Sequence, residues 1–303
     1  MSMNVTSTNH ASARMYWIHA LTPLHVGSGR GVSFVDLPIM REKATGWPII
    51  PGSTVKGVWR DHVEQGEMDQ ALVAAAFGLA SDKDDDHAGS LAISDARIVL
   101  FPVRSVYGTF AFASSPLVLS RLARDIRVAN GGNPPTVPAT VPEGTVLTTT
   151  GSEVVQGQRV FFEDLDFTAN ADATADGWAD YLGRILFGSD GAGNFQQMLR
   201  QRFVIIPNSS FDYLCEQGTE VNARIRIDDN KKTVAPGALW YEECLPAESV
   251  LAGVVWCERV YGVRRTPEEL LSEFCTRPMD VQLGGKATVG KGYVRCLFSG
   301  RGN

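Results

Sequence analysis

Residues Arg14 to Thr22 read as a β-strand that the chain cannot extend. Tyr16, Ile18 and Ala20 alternate with Trp17, His19 and Leu21, the two-residue period of a strand rich in aromatic and β-branched side chains. Pro23 lacks a backbone donor and ends it, and Gly27, Gly29 and Gly31 then make a loop that regular structure cannot accommodate. A second apolar piece runs from Val32 to Ile39, followed by a polar bend from Arg41 to Gly46 and a short apolar run from Trp47 to Pro51. Ser53 is a candidate N-cap for a helix that reaches Phe77 and Gly78, with a break near Gly66.

Further along, Leu91 to Val103 reads as a strand ending at Pro102, and Ser115-Pro116 opens a helix with Leu117, Leu119, Leu122 and Ile126 available for burial. Gly131 to Gly151 has no period and is expected to be a long loop or irregular extension. A helix is expected between Ala175 and Arg200, interrupted at Gly188 to Gly193. Arg202 to Ile206 and Val221 to Ile227 look like strands. The turn signal Asp228-Asp229-Asn230 then returns the chain through Lys231 to Trp240 as a hairpin. Val250 to Val260 is a long apolar strand, Thr266-Pro267-Glu268-Glu269 opens a helix running to about Cys275, and Val281 to Leu283 and Tyr293 to Phe298 close the chain as strands. Strands recur between helices without the spacing of a doubly wound sheet. The expectation is an α+β fold, an antiparallel sheet carrying helices on one side.

Composition limits the function. The 303 residues, 44% hydrophobic and 20% charged, suit one elaborated domain with an ample core, and no apolar run approaches the length of a membrane span. Residues 1–13 are polar and mixed, and read as a flexible tail rather than a signal peptide. Five widely spaced cysteines (Cys215, Cys244, Cys257, Cys275, Cys296) fit reduced thiols in a cytoplasmic protein, and His10, His19, His25, His62 and His87 lack zinc-ligand spacing. A net charge of −6 argues against a simple nucleic-acid-binding domain. The charge is segregated, however. Asp82, Asp84, Asp85 and Asp86 form an acidic loop, whereas Arg14, Arg30, Arg41, Lys43, Lys56 and Arg60 outweigh Asp36 and Glu42.

Four segments could carry chemistry. In His25-Val26-Gly27-Ser28-Gly29-Arg30-Gly31 the glycines allow close backbone approach to a phosphate, or simply a tight connection. As a dinucleotide fingerprint the segment fails, because Val32 stands where a third glycine is required and no helix opens there. Asp36-Leu37-Pro38-Ile39 presents a carboxylate that could accept a proton, hold a divalent cation, cap a turn or pair with Arg41. From Pro48 to Arg60, Ser53 and the free N–H groups of a helix start could hold a phosphate beside Lys56 and Arg60, or the basic residues could simply face solvent. Gly284-Gly285-Lys286 to Gly290-Lys291-Gly292 suits backbone-phosphate contact, and equally a plain hairpin.

Taken together, these segments resemble a known family. Thr22 to Gly29, Asp36 to Ile39, and Ile50-Pro51-Gly52-Ser53 with Lys56-Gly57 and Arg60 are similar to the N-terminal signature of the RAMP superfamily. More narrowly, they resemble the repeated backbone subunit of the type III-B (Cmr) CRISPR effector complex. The Gly284 to Gly292 run resembles that superfamily's glycine-rich loop, and Arg224 to Glu243, with Ala238-Leu239-Trp240-Tyr241-Glu242-Glu243, resembles its thumb hairpin. Gly131 to Gly193 has no counterpart that we recognise.

The resemblance implies a ferredoxin-like (RRM-type) palm over residues 14–303, with an inserted region at about 131–200 and a protruding thumb β-hairpin at about 221–245. It implies several copies stacked along a CRISPR guide RNA beside other Cmr-complex subunits, with each thumb distorting a complementary target RNA at regular intervals. By this resemblance Asp36 is the catalytic residue and a ligand for a divalent cation, Mg2+ or Mn2+. His25 lies beside the RNA, and Glu242 or Glu243 could assist. The RNA would be gripped by Gly27, Ser28, Gly29, Arg41, Ser53, Lys56, Arg60, Gly285, Lys286 and Lys291. Because RNA carries its own nucleophile, such a site needs no triad, and the expected product is a 2′,3′-cyclic phosphate. Two alternatives stand beside this reading: a non-catalytic RAMP scaffold subunit, type III-A-like or inactive, in which Asp36 is only a turn residue, and a small-molecule nucleotide-binding enzyme.

Overall fold

The computed structural model describes residues 12–29, 31, 35–79, 88–129, 131–188, 193–227 and 234–299. Arg30, Val32, the Asp82–Asp86 acidic loop and the Asp228-Asp229-Asn230 turn lie outside the described residues. In chain order the elements begin with β1 (Ala13–Ala20), β2 (Ile49–Ile50), α1 (Gly52–Glu64), α2 (Gln70–Phe77), β3 (Ala92–Ile93), β4 (Ala96–Arg104), β5 (Phe110–Ser114) and α3 (Pro116–Val128). The middle of the chain forms β6 (Thr145–Thr148), β7 (Arg159–Phe162), β8 (Leu165–Ala171), α4 (Ala173–Phe187), α5 (Gly193–Arg202), β9 (Phe203–Ile205) and α6 (Asn208–Gln217). The last part holds β10 (Glu220–Ile227), β11 (Val234–Cys244), β12 (Val250–Trp256), α7 (Pro267–Phe274), β13 (Met279–Gln282) and β14 (Tyr293–Ser299).

Twelve strands join one mostly antiparallel sheet in the order β13-β14-β1-β12-β4-β5-β9-β6-β8-β7, with β2 on β4 and β3 on β12. The pairs β5–β9 and β6–β8 are parallel. β10 and β11 form a separate two-stranded hairpin, as expected from the turn signal.

All eight residues of β1 are buried, which one layer of helices could not achieve. Tyr16 and Ile18 pack with Val55 and Trp59 of α1, Phe77 of α2 and Phe274 of α7. Met15 and Trp17 face the other way, onto Leu119 and Ile126 of α3 and Trp178 of α4. Helices therefore cover both faces, which corrects the one-sided arrangement expected from sequence. β1 also starts at Ala13, and Ser12 O already accepts from Cys257 N–H, so the ordered strand begins one residue inside the expected tail.

Local signals explain most helix starts. Ser115 caps α3 ahead of Pro116, and Thr266 and Glu269 form a reciprocal capping box on α7. Ser53 is not a cap. α1 starts at Gly52 after Pro51, and the amide of Gly52 is held by Asp95 Oδ1 at 2.8 Å. Residues 131–200 also hold strands the sequence did not betray, β6, β7 and β8, and α6 follows β9 unannounced.

Candidate functional site

The site forms where the segment after the first glycine loop meets the base of the hairpin. Leu37 N–H donates to Tyr241 O at 3.1 Å, and Glu243 N–H donates to Leu37 O at 3.0 Å. Residues 36–38 thus lie parallel along the edge of β11. Asp36 is exposed, and its Oδ2 accepts from Tyr241 N–H at 2.8 Å. Its Oδ1 has no hydrogen-bond partner among the described residues. Half of the carboxylate is fixed and half is presented to whatever lies above.

Glu243 holds this arrangement from below. Its buried carboxylate accepts from Ile39 N–H at 3.0 Å, Thr219 Oγ1–H at 2.9 Å and the Arg41 guanidinium at 2.5 Å. Arg41 also donates to Gly46 O at 2.8 Å and Cys215 O at 3.2 Å. The pairing of Asp36 with Arg41 weighed from sequence therefore does not occur, and Arg41 is an internal tie. His25 is buried, with its Nδ1 2.6 Å from Glu243 O.

The two glycine loops converge here. Ser28 N–H donates to Pro38 O at 3.0 Å, and Gly27, Ser28 and Gly29 are exposed. Gly285 N–H donates to His25 O at 2.9 Å. Gly284 sits at φ 74°, and a Cβ there would stand 2.3 Å from His25 O, so glycine is required for the close approach. The loop lysines are engaged by the hairpin. Lys286 Nζ donates to Glu242 Oε1 at 2.7 Å, and Lys291 Nζ lies 3.5 Å from Glu220. Glu242, 3% exposed at its side chain, also accepts from Trp240 Nε1–H at 2.7 Å and Arg224 Nε–H at 3.3 Å. Burial alone would raise its pKa, but hydrogen bonds from Lys286, Trp240 and Arg224 outweigh it and hold Glu242 below the usual carboxylate range.

Asp36, His25, Gly27 to Gly29, Arg41, Glu242, Glu243, Gly285, Lys286 and Lys291 thus share one corner. No hydrogen bond or ion pair among the described residues joins Ser53, Lys56 or Arg60 to it. Lys56 Nζ donates to Leu91 O at 3.0 Å, and burial first, then the neighbouring Arg60 charge, lowers its pKa. Arg60 pairs with Glu64 one turn on, at 2.6 Å. Asp95 places a carboxylate where the sequence reading put a phosphate. Sequence reasoning missed Asp95, Thr219 and the Tyr241 amide, whose roles exist only once distant segments meet.

No group of three or more His, Cys, Asp or Glu side chains among the described residues forms a metal-ligand cluster. Asp36 Oδ1 is a single hard-oxygen donor, which fits a cation shared with phosphates and water rather than a resident ion. Among the described residues the glycine loop after β1 opens no helix and instead bridges Ile39, which removes the basis of the small-molecule nucleotide reading.

An elaborated antiparallel sheet, a detached hairpin and two glycine loops meeting at its base are the parts expected of a RAMP protein, and the chain belongs to the RAMP superfamily, matching over residues 17–295. It is 33% identical over 289 residues to the CRISPR system Cmr endoribonuclease Cmr4 of Pyrococcus furiosus, covering 93% of this chain and 94% of that protein. It is 24% identical to the CRISPR system CMR subunit Cmr4 of Saccharolobus solfataricus, covering 96% and 97%. The crystal structure of oligomeric Cmr4 from Pyrococcus furiosus superposes with a TM-score of 0.74 at 27% identity, covering 96% of this chain and 99% of that one. A chain of the type III-B Cmr-beta complex bound to cognate target RNA shares the fold, with a TM-score of 0.72 at 21% identity over 96% of this chain and 98% of that one.

Proposed function

We propose that this chain is a guide-RNA-binding filament subunit of a type III-B CRISPR effector complex, and that it cleaves complementary target RNA at regular intervals through Asp36. The observation that carries the reading is the position of Asp36: exposed, fixed through Oδ2 to Tyr241 N–H, and set at the base of the β10–β11 hairpin. A 2′-hydroxyl held in line with its phosphodiester needs only a positioned proton acceptor, and Asp36 Oδ1, which takes no bond among the described residues, can serve as one. Specificity rests on base pairing with the guide, and the protein grips backbone. The partners are guide RNA, target RNA, further copies of the chain and other Cmr-complex subunits, in the cytoplasm. No helix among the described residues is long and apolar enough to cross a membrane.

Two finer readings belong here. The order β14-β1-β12-β4, all antiparallel, with α1 and α7 in the crossovers, supports a ferredoxin-like palm to which the remaining strands are added. A divalent cation, Mg2+ or Mn2+, would take Asp36 Oδ1 as its one protein ligand and neutralise developing phosphate charge.

The Tyr241 N–H bond to Asp36 also favours a second reading, a scaffold in which Asp36 only caps the strand edge. Asp36→Asn separates the two, because the amide oxygen keeps that bond while the charge is lost. In complexes assembled with guide RNA, catalysis by Asp36 predicts retained target binding without cuts. Cutting at the wild-type rate would leave the scaffold reading.

A further inference from the structure

Glu242 orders more than a salt bridge. In the hairpin register Arg224 stands directly opposite Trp240, and Asn222 opposite Glu242, so all four share one face. Glu242 Oε1 accepts from the indole Nε1–H of Trp240 at 2.7 Å, and Oε2 accepts from Arg224 Nε–H at 3.3 Å. One buried carboxylate therefore fixes an indole and a guanidinium side by side, and Lys286 adds a further positive charge on the same carboxylate. The Arg224 side chain is 37% exposed, and Trp240 is half-buried, with no other ring packed on it among the described residues. A rigid aromatic ring beside a planar cation, at the edge of solvent, is a surface on which any nucleobase can stack. Its place in the chain matters as well. Tyr241, the next residue along β11, donates its N–H to Asp36, and residues on a strand rise about 3.3 Å each.

We propose that Trp240 and Arg224 form a base-stacking platform that holds one unpaired nucleotide of the RNA, positioning the adjoining phosphodiester against Asp36. The inference rests on the reading of this chain as an RNA-cleaving subunit and names the positioning residues of that same site. Stacking is blind to base identity, which suits a subunit whose sequence choice is made by the guide. Trp240 and Arg224 are positioning residues, since neither touches the reacting atoms.

The test uses the assembled effector complex with a target RNA carrying 2-aminopurine at the nucleotide beside each cut. Stacking quenches the probe. In the wild-type complex the fluorescence is expected to be quenched. In Trp240→Ala the quenching is lost and single-turnover cleavage falls about 5- to 150-fold, the range for one lost stack, with guide and target still bound. Trp240→Phe retains a ring without the indole donor, and is expected to keep quenching and most of the rate. Wild-type quenching and rate in Trp240→Ala would overturn the platform while leaving Asp36-dependent cleavage untouched. Conversely, if Asp36→Asn cuts normally, the function reading fails and the probe still decides the platform. Should the alanine complex not assemble, the phenylalanine complex decides alone: quenching kept supports the platform, quenching absent overturns it.

Discussion

Along β1 every side chain from Ala13 to Ala20 is buried, whereas Asp36, fixed at the edge of the hairpin, is exposed. The sheet is held by apolar area removed from water, a force without direction that tolerates small shifts. The hairpin base is held by Glu243, Glu242, Arg41 and Lys286 through hydrogen bonds whose lengths and angles fix where Asp36 points. Such buried charged networks set geometry more than they add net stability. The two regions should therefore fail differently, the sheet in stability and the corner in cleavage.

Asp36→Asn gives the sharpest separation. Loss of a positioned proton acceptor costs about 10²- to 10⁴-fold in rate, while an exposed, isosteric change should shift stability by no more than about 0.5 kcal/mol. Single-turnover cleavage and a urea melt of the same preparation measure both. A stability loss comparable to a core substitution would break the contrast. Trp59→Ala should show the opposite behaviour. Trp59 packs against Phe298 at 4.9 Å and Phe77 at 5.7 Å, and is 2% exposed. Its removal should cost about 3–5 kcal/mol, read as a lower urea midpoint, with the cut position unchanged in complexes that still assemble.

Glu243→Ala tests the border between the regions. It removes one acceptor of the Arg41 guanidinium and leaves the Ile39 amide and the Thr219 hydroxyl without the acceptor they use now. We expect a loss of about 1–3 kcal/mol, moderated because Arg41 keeps its carbonyl partners and some solvent contact. Misplacing Asp36 by about 1 Å would cost up to about 10²-fold in cleavage. Stability lost with full cleavage would mean that the segment carrying Asp36 is held by its backbone bonds to β11 alone.

The same division governs what could be read from the chain. Ser115-Pro116 and Thr266-Pro267-Glu268-Glu269 were legible as helix starts because a cap acts within one turn. The hairpin was legible because a turn signal separates two extended runs. The alternation in β1 was visible too, but not that both of its faces are covered, since α3 and α4 arrive from residues 116–187. Among the site residues, the proximity of Asp36 and His25 to the glycine loops was legible only by resemblance. The partners of Lys56 and Arg41 were not, because a basic side chain carries no mark of whether a phosphate, a carbonyl or a glutamate from a distant segment will meet it, whereas the Arg60–Glu64 pair follows helical spacing. Asp95 is 43 positions from Gly52, a separation at which no local pattern exists.

The smallest effect concerns pH at the hairpin base. Glu242 is held below the ordinary carboxylate range in the folded chain, against its burial, by Lys286, Trp240 and Arg224. A carboxylate depressed on folding binds more protons when unfolded, so its contribution is complete above the unfolded value of about 4.3. That contribution is lost as pH falls through the lower, folded value. Acid should therefore loosen the hairpin base before it reaches the middle of β1, because Met15 to Ile18 pack among apolar side chains, and the titratable pairs of that strand, Arg14 with Glu268 and His19 with Glu248, lie outside this stretch. Hydrogen exchange, corrected for its intrinsic pH dependence, should show Trp240 to Cys244 losing protection below about pH 4 while Met15 to Ile18 keep theirs. Lys286→Met removes the strongest of the bonds holding the charge, and should move this opening to higher pH. If β11 and β1 instead lose protection together in both proteins, Glu242 is not what secures the hairpin, and the division between an apolar sheet and a charge-held corner does not survive there.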